Sequence, residues 1–400
     1  MSGWCFFIGR GGSVCRARAG AWGLHVVELP DGEGTVKRDE GWGVFGYALK
    51  YHGKGFVLKT TKYAEKAEGD GTAMEQRHLG KSDISVSVVG LGTWVMGGWM
   101  WGGAEDESSK KAIFKAIDLG ITLIDTAPVY GFGHAETLVG QALTEAKARS
   151  RVVVATKCGL EWDENERIRR NSSPKRIFEE IDQSLRRLRT DSIDLYQIHW
   201  PDPSTPFEES LDALIKLKKA GKIREIGVSN FDAGQMEAFD RDGTLASNQV
   251  PYSLFEREIE AETLPYAREH QIGILAYGPL CRGLLTGKFS QETTFPSGDL
   301  RSVDPKFQGD AFLEHLKAVE GLKGLAKEIG VDIGSFAVRW AIEQGGVTSA
   351  LCGARNPKQI EASSKAASFK IPGDMLGRIE EVLRLSISKP ISPAFMAPPL

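Results

Sequence analysis

The chain has 400 residues, 41% of them hydrophobic and 26% charged, which is enough apolar material for a large core. Its 50 basic and 53 acidic residues give a formal charge of −3, which argues against nucleic acid as a partner. No run approaches the roughly 18 apolar residues of a membrane span, so no membrane partner is expected. The five cysteines contain no CxxC pair, which argues against a disulfide framework and against a metal site. We therefore expect a cytoplasmic protein.

The first 73 residues differ from the rest of the chain. They hold 15 of the 46 glycines, and their apolar residues follow neither a helical nor a strand period. The stretch before Glu28 contains three arginines and no acid, as transit peptides do, but its apolar run is too short for a secretory signal. We interpret residues 1–73 as a Gly-rich N-terminal extension, disordered or produced by a misassigned start, and residues 74–400 as the folded domain.

From Met74 the hydrophobic pattern becomes regular. Segments Gln76–Leu79 and Ile84–Val88 flank a Gly-Lys-Ser-Asp turn and predict a β-hairpin. Eight short apolar segments then predict strands, at Val88–Leu91, Leu123–Asp125, Val152–Thr156, Leu195–Ile198, Glu225–Val228, Ser247–Val250, Gly273–Ala276 and Ser349–Leu351. Amphipathic segments predict helices, at Ser109–Leu119, Glu136–Leu143, Pro174–Leu188, Phe207–Ala220, Pro357–Ala366 and Asp374–Leu385.

Alternating strands and helices indicate the α/β class. Eight such units in about 280 residues predict a (β/α)8 TIM barrel with an N-terminal β-hairpin and extra C-terminal helices. A doubly wound sheet is the alternative, but no G-x-G-x-x-G opens a helix after the first strand. The barrel is therefore the preferred fold.

In a barrel, the carboxyl ends of the strands carry the reacting groups. Strand two ends at Asp125 and is followed by Tyr130, strand three ends at Lys157, and strand four ends at His199. Each of these residues alone has an ordinary structural explanation, such as a buried ion pair or a core histidine. Polar residues at six successive strand ends of one rim make a functional site the better interpretation.

The sequence around these strand ends resembles the aldo-keto reductase family, from Met74 to about Lys370. The motifs that carry the resemblance, in chain order, are GLGTW, DTAPVYGFGHAE, ATKCG, IDLYQIHWPDP, GKIREIGVSNF, NQVPYS, AYGPLCRGLLTGKF and GARNPKQIE. The loop after strand seven and its GLLTGK sequence resemble the bacterial, plant and channel-subunit branch of the family more than the steroid-reductase branch.

The resemblance implies reversible NADP(H)-dependent reduction of aldehydes and ketones to alcohols. Tyr130 resembles the family's general acid, and the Lys157 ammonium would lower its pKa. Asp125 would keep Lys157 charged, and His199 would place the carbonyl oxygen beside Tyr130. A nicotinamide cofactor is implied because no side chain supplies a hydride, and the resemblance implies that this cofactor is NADP(H).

The resemblance also implies the cofactor contacts. Ser229, Asn230 and Gln249 would hold the nicotinamide carboxamide, Tyr277 would stack on the ring, and Arg355 would bind a 2′-phosphate, with Gln359 one helical turn further on. Ser363 stands where relatives often have an asparagine against adenine. The remaining predicted cofactor residues are Gly92, Thr93, Trp94, Gly278, Pro279, Leu280, Arg282, Gly283, Leu285, Gly287, Lys288 and Gly353.

An apolar substrate pocket is predicted from Trp94, Trp101 and Trp200, which suits a small carbonyl compound. Loop residues packed on the barrel are the alternative explanation for each tryptophan. Two other functions stay open: a cofactor-loaded redox sensor or auxiliary subunit of a membrane protein, and a barrel enzyme for a phosphorylated substrate. The second is disfavoured because it leaves Tyr130 and Lys157 without a role. We expect a monomer or a weak homo-oligomer.

Overall fold

The computed structural model describes residues 74–400 and, within residues 1–73, the backbone of six strands. The chain divides into two compact units, Met1–Gly71 and Thr72–Leu400. The six strands of the first unit form one antiparallel sheet in the order β3-β2-β1-β4-β5-β6. They are β1 (Trp4–Gly9), β2 (Val14–Gly20), β3 (Gly23–Leu24), β4 (Gly34–Lys37), β5 (Tyr47–Tyr51) and β6 (Phe56–Thr60). The rest of residues 1–73, and with it the prediction of a disordered extension, lies outside the described residues.

The second unit begins with the predicted hairpin, β7 (Gln76–His78) and β8 (Ser85–Ser87), which pair antiparallel. Between them, buried Leu79 and Ile84 pack against apolar side chains from inside the barrel, such as Leu123 and Leu195. Since these barrel residues lie toward the amino ends of their strands, the hairpin closes that end of the barrel.

Eight parallel strands close into a barrel in the order β10-β11-β14-β15-β16-β17-β18-β9. They are β9 (Val89–Gly92), β10 (Leu123–Asp125), β11 (Val153–Cys158), β14 (Ile193–Ile198), β15 (Ile223–Ser229), β16 (Leu245–Pro251), β17 (Gly273–Tyr277) and β18 (Val347–Gly353). The predicted TIM barrel is confirmed. Six of the eight strands run longer than predicted: β11 and β17 extend at the carboxyl end, β14 at the amino end, and β15, β16 and β18 at both ends.

Ten helices surround the strands within residues 74–400. They are α1 (Asp106–Asp118), α2 (His134–Glu145), α3 (Pro174–Leu188), α4 (Phe207–Lys219), α5 (Ala233–Phe239), α6 (Thr263–Glu269), α7 (Gly309–Glu328), α8 (Ile333–Glu343), α9 (Pro357–Ser364) and α10 (Gly373–Ser386). Helix α3 has the predicted bounds, because the Ser173 side chain accepts a hydrogen bond from the Arg176 amide and Pro174 occupies the first turn. None of these helices is both long and apolar enough to cross a lipid bilayer.

Helices α5 to α8 were not predicted, and neither was the small hairpin of β12 (Leu160–Trp162) and β13 (Ile168–Arg170). Helix α8 shows why. Nine of its eleven residues are buried, among them the polar Ser335 and Arg339, so the helix lacks the solvent-exposed polar face of a typical surface helix. The hairpin follows the strand that carries Lys157, and it therefore stands at the carboxyl rim of the barrel.

Candidate active site

The predicted catalytic residues converge at the carboxyl rim. Asp125 ends β10, Lys157 lies near the end of β11, and His199 directly follows β14. All three are buried, and Lys157 has no exposed surface. Tyr130 reaches the same point from the turn between β10 and α2, where its backbone amide donates to the Ala127 carbonyl.

The Lys157 ammonium uses each of its three hydrogen atoms. Its Nζ atom lies 2.7 Å from Asp125 Oδ1, 2.9 Å from the Thr126 carbonyl oxygen and 3.1 Å from Tyr130 Oη. An ammonium has three donors, so this set is complete and fixes the amine in place. The structure thus places the amine directly beside the phenol oxygen.

Two glutamine amides complete the surroundings of Asp125. Gln249 Nε2 lies 2.7 Å from Asp125 Oδ2, and Gln197 Nε2 lies 3.5 Å from the same oxygen. Sequence analysis missed Gln197, although it stands opposite Lys157 in the β11–β14 register. A polar residue at an inward position of an apolar strand was the signal that could have identified it.

Burial dominates the protonation of this cluster. It raises the pKa of Tyr130 well above its ordinary value, and the Asp125 charge raises it further. The Lys157 ammonium beside the phenol oxygen acts in the opposite sense, and its lowering of this pKa stays a prediction. Burial also lowers the pKa of Lys157. The site holds a protonated phenol, which is the acid form.

His199 is neutral in this environment. Burial lowers the pKa of its imidazole well below the ordinary value, and the nearby Lys157 charge adds to the effect. Its ring lies edge-on to Tyr130, with 5.8 Å between the ring centroids. A neutral imidazole can donate one hydrogen bond beside the phenol without adding charge.

The residues predicted to hold a carboxamide form a linked set. Asn230 Nδ2 donates to the His199 carbonyl and to Ser229 Oγ, both at 3.0 Å, and Tyr277 Oη donates to Asn230 Oδ1 at 2.9 Å. Ser229 Oγ donates to the Gln249 carbonyl at 2.8 Å. Second lone pairs remain on Asn230 Oδ1 and Ser229 Oγ, so the set offers acceptors that fit a primary amide such as that of nicotinamide.

The predicted phosphate loop follows β17 and turns sharply. Cys281, Arg282 and Gly283 have φ angles of 44°, 52° and 94°, and Gly278 and Gly287 are also left-handed. A Cβ atom at Gly278 would meet nothing within 4 Å, so the backbone there faces open space. The open backbone at Gly278 fits a pyrophosphate.

Arg282 itself turns away from this open side. Its guanidinium is buried and pairs with Glu256 and with Asp304, the latter at 2.6 Å. Lys306 Nζ lies 3.0 Å from Glu256 Oε1, which completes a cluster of two cations and two anions. Burial alone would raise the pKa of Glu256, but Arg282 and Lys306 outweigh it and hold that pKa low. The Arg282 side chain is therefore not available to a phosphate, and only its backbone is.

Some of the other predicted cofactor residues are accessible to solvent, whereas others are buried. Thr93 is buried, and its hydroxyl donates to the Asp125 carbonyl at 2.9 Å, so it supports the end of β10. Ser363 is also buried. Exposed or half-buried residues, which a ligand can reach, are Gly92, Trp94, Gly278, Leu280, Gly283, Gly287, Lys288, Gly353, Arg355 and Gln359. Pro279 and Leu285 are buried and support the loop.

Two of the three tryptophans predicted to line a substrate pocket lie in ring contact at Tyr130. Trp94 stacks on Tyr130 with 5.9 Å between centroids, and Trp101 meets Trp94 edge-on at 5.4 Å. Trp200 belongs to the same apolar cluster. Sequence analysis missed Arg170, which stacks 5.6 Å from the Trp200 ring and donates to the Pro398 carbonyl near the C-terminus. Arg170 thus links the segment near Pro398 to Trp200.

Cys158 follows Lys157 in β11, so its sequence position suggests a thiol that Lys157 could activate. Burial raises the pKa of its thiol well above the ordinary value, and the Glu180 charge adds to this. The thiol is therefore not activated by Lys157.

A TIM barrel whose carboxyl rim joins a carboxylate, an ammonium and a phenol is typical of carbonyl oxidoreductases. The model of the Aldo/keto reductase family matches residues 88–384. The aldo-keto reductase YhdN of Bacillus subtilis (strain 168) is 49% identical over 327 residues, which cover 82% of this chain and 98% of the relative. The NADH-specific methylglyoxal reductase of Escherichia coli (strain K12) is 36% identical over 74% of this chain and 95% of its own length.

A solved structure agrees. The glycerol dehydrogenase of Gluconobacter oxydans superposes with a TM-score of 0.74 at 48% identity, covering 82% of this chain and all of that one. The chain therefore belongs to the aldo/keto reductase family of oxidoreductases, as the sequence motifs predicted.

Proposed function

We propose that the protein reduces aldehydes and ketones to alcohols with NADP(H), and that Tyr130 is the general acid. The observation that carries the proposal is the 3.1 Å contact between Lys157 Nζ and Tyr130 Oη, with the other two ammonium hydrogens fixed on Asp125 and Thr126. A phenol held this way is positioned to release a proton and to be stabilised afterwards.

The protein's own groups account for the proton. When bound, the dihydronicotinamide supplies a hydride to the carbonyl carbon. Tyr130 transfers its proton to the carbonyl oxygen, and the Lys157 ammonium stabilises the phenolate that remains. The neutral His199 imidazole donates a hydrogen bond to the same oxygen and orients it. In the oxidative direction the phenolate form of Tyr130 is needed, because it accepts the proton of the alcohol.

The choice of NADP(H) rests on Arg355, which lies just beyond β18 and whose planar fork suits a 2′-phosphate. Its backbone amide donates to Gln359 Oε1 at 2.6 Å, so the two residues act as one unit at the start of α9. A relative named as NADH-specific makes the comparison of both dinucleotides necessary.

The substrate proposed is a small carbonyl compound. Support comes from the aromatic side chains near Tyr130, since Trp94 and Trp200 pack in its apolar cluster and Trp101 contacts Trp94. Such surroundings suit a carbonyl group on a short apolar or lightly oxygenated chain. Two relatives are named for three-carbon oxygenated compounds, methylglyoxal and glycerol. Such compounds are therefore the first to assay.

The test is steady-state oxidation of NADPH and of NADH with a panel of short aldehydes and ketones, with the alcohol product measured. We expect one alcohol for each dinucleotide consumed. Tight dinucleotide binding without turnover of any carbonyl would favour the alternative, a redox sensor or auxiliary subunit of a membrane protein. The cytoplasmic location and the monomeric or weakly oligomeric state stay predictions, to be checked by fractionation and by sedimentation.

A further inference from the structure

A second arginine lies beside Arg355, on a segment that sequence analysis did not assign. Arg301 belongs to the long loop between β17 and α7, and its guanidinium lies 5.6 Å from the Trp101 ring. The Arg355 guanidinium donates to the backbone carbonyl of the same Trp101. The neighbouring Leu300 amide donates to the Met100 carbonyl at 2.9 Å, which docks this loop onto the loop after β9.

Arg301 is held in a defined position. Besides Trp101, its guanidinium lies over the rings of Phe295 and Phe289, at 4.6 and 5.8 Å. Its fork is occupied by the Asp299 carboxylate, with Nε to Oδ1 at 2.8 Å and Nη2 to Oδ2 at 2.6 Å. Asp299 is almost fully buried, so this pair is better insulated from water than a surface ion pair.

The charges of Asp299 and Arg301 both affect the pKa of Arg355. The pKa of Arg355 lies below its ordinary value because of burial and then because of the Arg301 charge, while Asp299 acts in the opposite sense. Asp299 therefore offsets the positive charge of Arg301 and Arg355 just before the start of α9. A carboxylate accepts a hydrogen bond from a ribose 2′-hydroxyl and repels a 2′-phosphate, whereas an arginine fork binds the phosphate.

We propose that Asp299 and Arg301 set the preference between dinucleotides with and without a 2′-phosphate. This rests on the proposed function, in which Arg355 faces the adenosine ribose. Asp299 competes with a 2′-phosphate for the Arg301 fork, so it weakens the selection for NADP(H) that Arg355 alone would give. The protein accepts NAD(H) as well for this reason, and removal of the Asp299 charge shifts the preference toward NADP(H).

The experiment measures binding of adenosine 2′,5′-bisphosphate and of 5′-AMP by calorimetry, since these two probes differ only by the 2′-phosphate. Asp299→Asn keeps the side-chain shape and an acceptor for the Arg301 amide, and it should raise the affinity ratio in favour of the bisphosphate about tenfold. Arg301→Gln should lower that ratio about tenfold. The same shifts should appear in the ratio of kcat/KM for NADPH and NADH.

Asp163→Asn is the matched control, because Asp163 pairs with Arg167 in an exposed turn and should leave the ratio unchanged. Retained binding of 5′-AMP by each variant shows that it is folded. If Asp299→Asn and Arg301→Gln weaken both probes equally, or leave the ratio at the wild-type value, the pair only holds the loop and the proposal is overturned. If the wild-type protein binds neither probe nor any dinucleotide, the proposed function fails with it.

Discussion

Two buried clusters of this barrel both pair carboxylates with cations, but only one of them also contains a group that can give up a proton. The first, here called the catalytic cluster, consists of Asp125, Tyr130 and Lys157. The second, the loop cluster, consists of Glu256, Arg282, Asp304 and Lys306, and none of its side chains is more than 4% exposed. In the loop cluster every cation faces a carboxylate, so no proton is free to move. In the catalytic cluster one ammonium hydrogen goes to a neutral phenol, which has a proton to give.

The comparison shows that burial and charge pairing alone do not define a reactive site. The loop cluster joins three segments: the loop after β16 with Glu256, the left-handed turn after β17 with Arg282, and the later segment with Asp304 and Lys306. The Phe395 ring packs against the cluster, with its centre 5.7 Å from the Arg282 guanidinium. The function of the loop cluster is to hold backbone in place. The catalytic cluster instead lies beside the partly buried rings of Trp94 and Trp200, which pack around Tyr130.

Between these two clusters, the larger effect on turnover is expected from Lys157→Met, which removes the amine from the catalytic cluster. Turnover should fall by about a thousandfold, because a positioned proton donor and its stabilising charge contribute that order of rate. The variant leaves Asp125 buried without its cation, so the double variant Lys157→Met/Asp125→Asn is the control. The double variant should regain stability in urea unfolding and still lack turnover. Recovery of turnover together with stability would contradict the assigned role.

The loop cluster should respond in the opposite way. Arg282→Met leaves two carboxylates facing one lysine, so the free energy of unfolding should fall by about 3–5 kcal/mol. Urea denaturation measures this loss. The double variant Arg282→Met/Glu256→Gln restores the charge balance and should recover part of it. A large loss of kcat with unchanged stability would show that Arg282 acts on the ligand instead.

A smaller effect is expected at Glu180, a buried carboxyl of α3 that accepts from the Gly159 amide at 2.7 Å, just beyond the catalytic strand β11. Burial raises its pKa to about 7 from 4.5. The folded state therefore keeps this proton up to about pH 7, whereas the unfolded chain loses it above about pH 4.5. The stability contribution of Glu180 should decline between these values as the pH rises.

Glu180→Gln tests this directly, since its amide oxygen can still accept from Gly159 and cannot titrate. The difference in unfolding free energy, variant minus wild type, should grow by up to about 3 kcal/mol between pH 4.5 and 7, from the shift of roughly 2.5 pKa units. A difference that stays constant across this range would show that Glu180 is ionised throughout.

The sequence predicted element bounds and site residues best where local signals were strong, such as a helix cap or a polar residue at the end of an apolar strand. Strand β10 and helix α3 have the predicted bounds, and Asp125, Tyr130, Lys157 and His199 do converge. The protonation of Tyr130 could not be predicted, because it depends on how completely the turn excludes water. The orientation of Arg282 could not be predicted either, because its partners come from two other loops.

The same reason explains the residues that were missed. Asp299, Arg301 and Arg170 lie in loops, where no periodicity shows which way a side chain points. Their partners, such as Trp101 and Pro398, are distant in sequence. Gln197 lies in a strand and could have been identified from its inward position opposite Lys157.

The central claim is that the Tyr130 phenol supplies the proton of carbonyl reduction. Tyr130→Phe keeps the ring that stacks on Trp94 and removes only the hydroxyl beside Lys157. The decisive measurement is kcat of this variant with an aldehyde that the wild type reduces, together with NADPH affinity from fluorescence titration. We predict that kcat falls by at least about a thousandfold while the dissociation constant of NADPH changes by less than about twofold. Wild-type kcat in Tyr130→Phe would contradict the account.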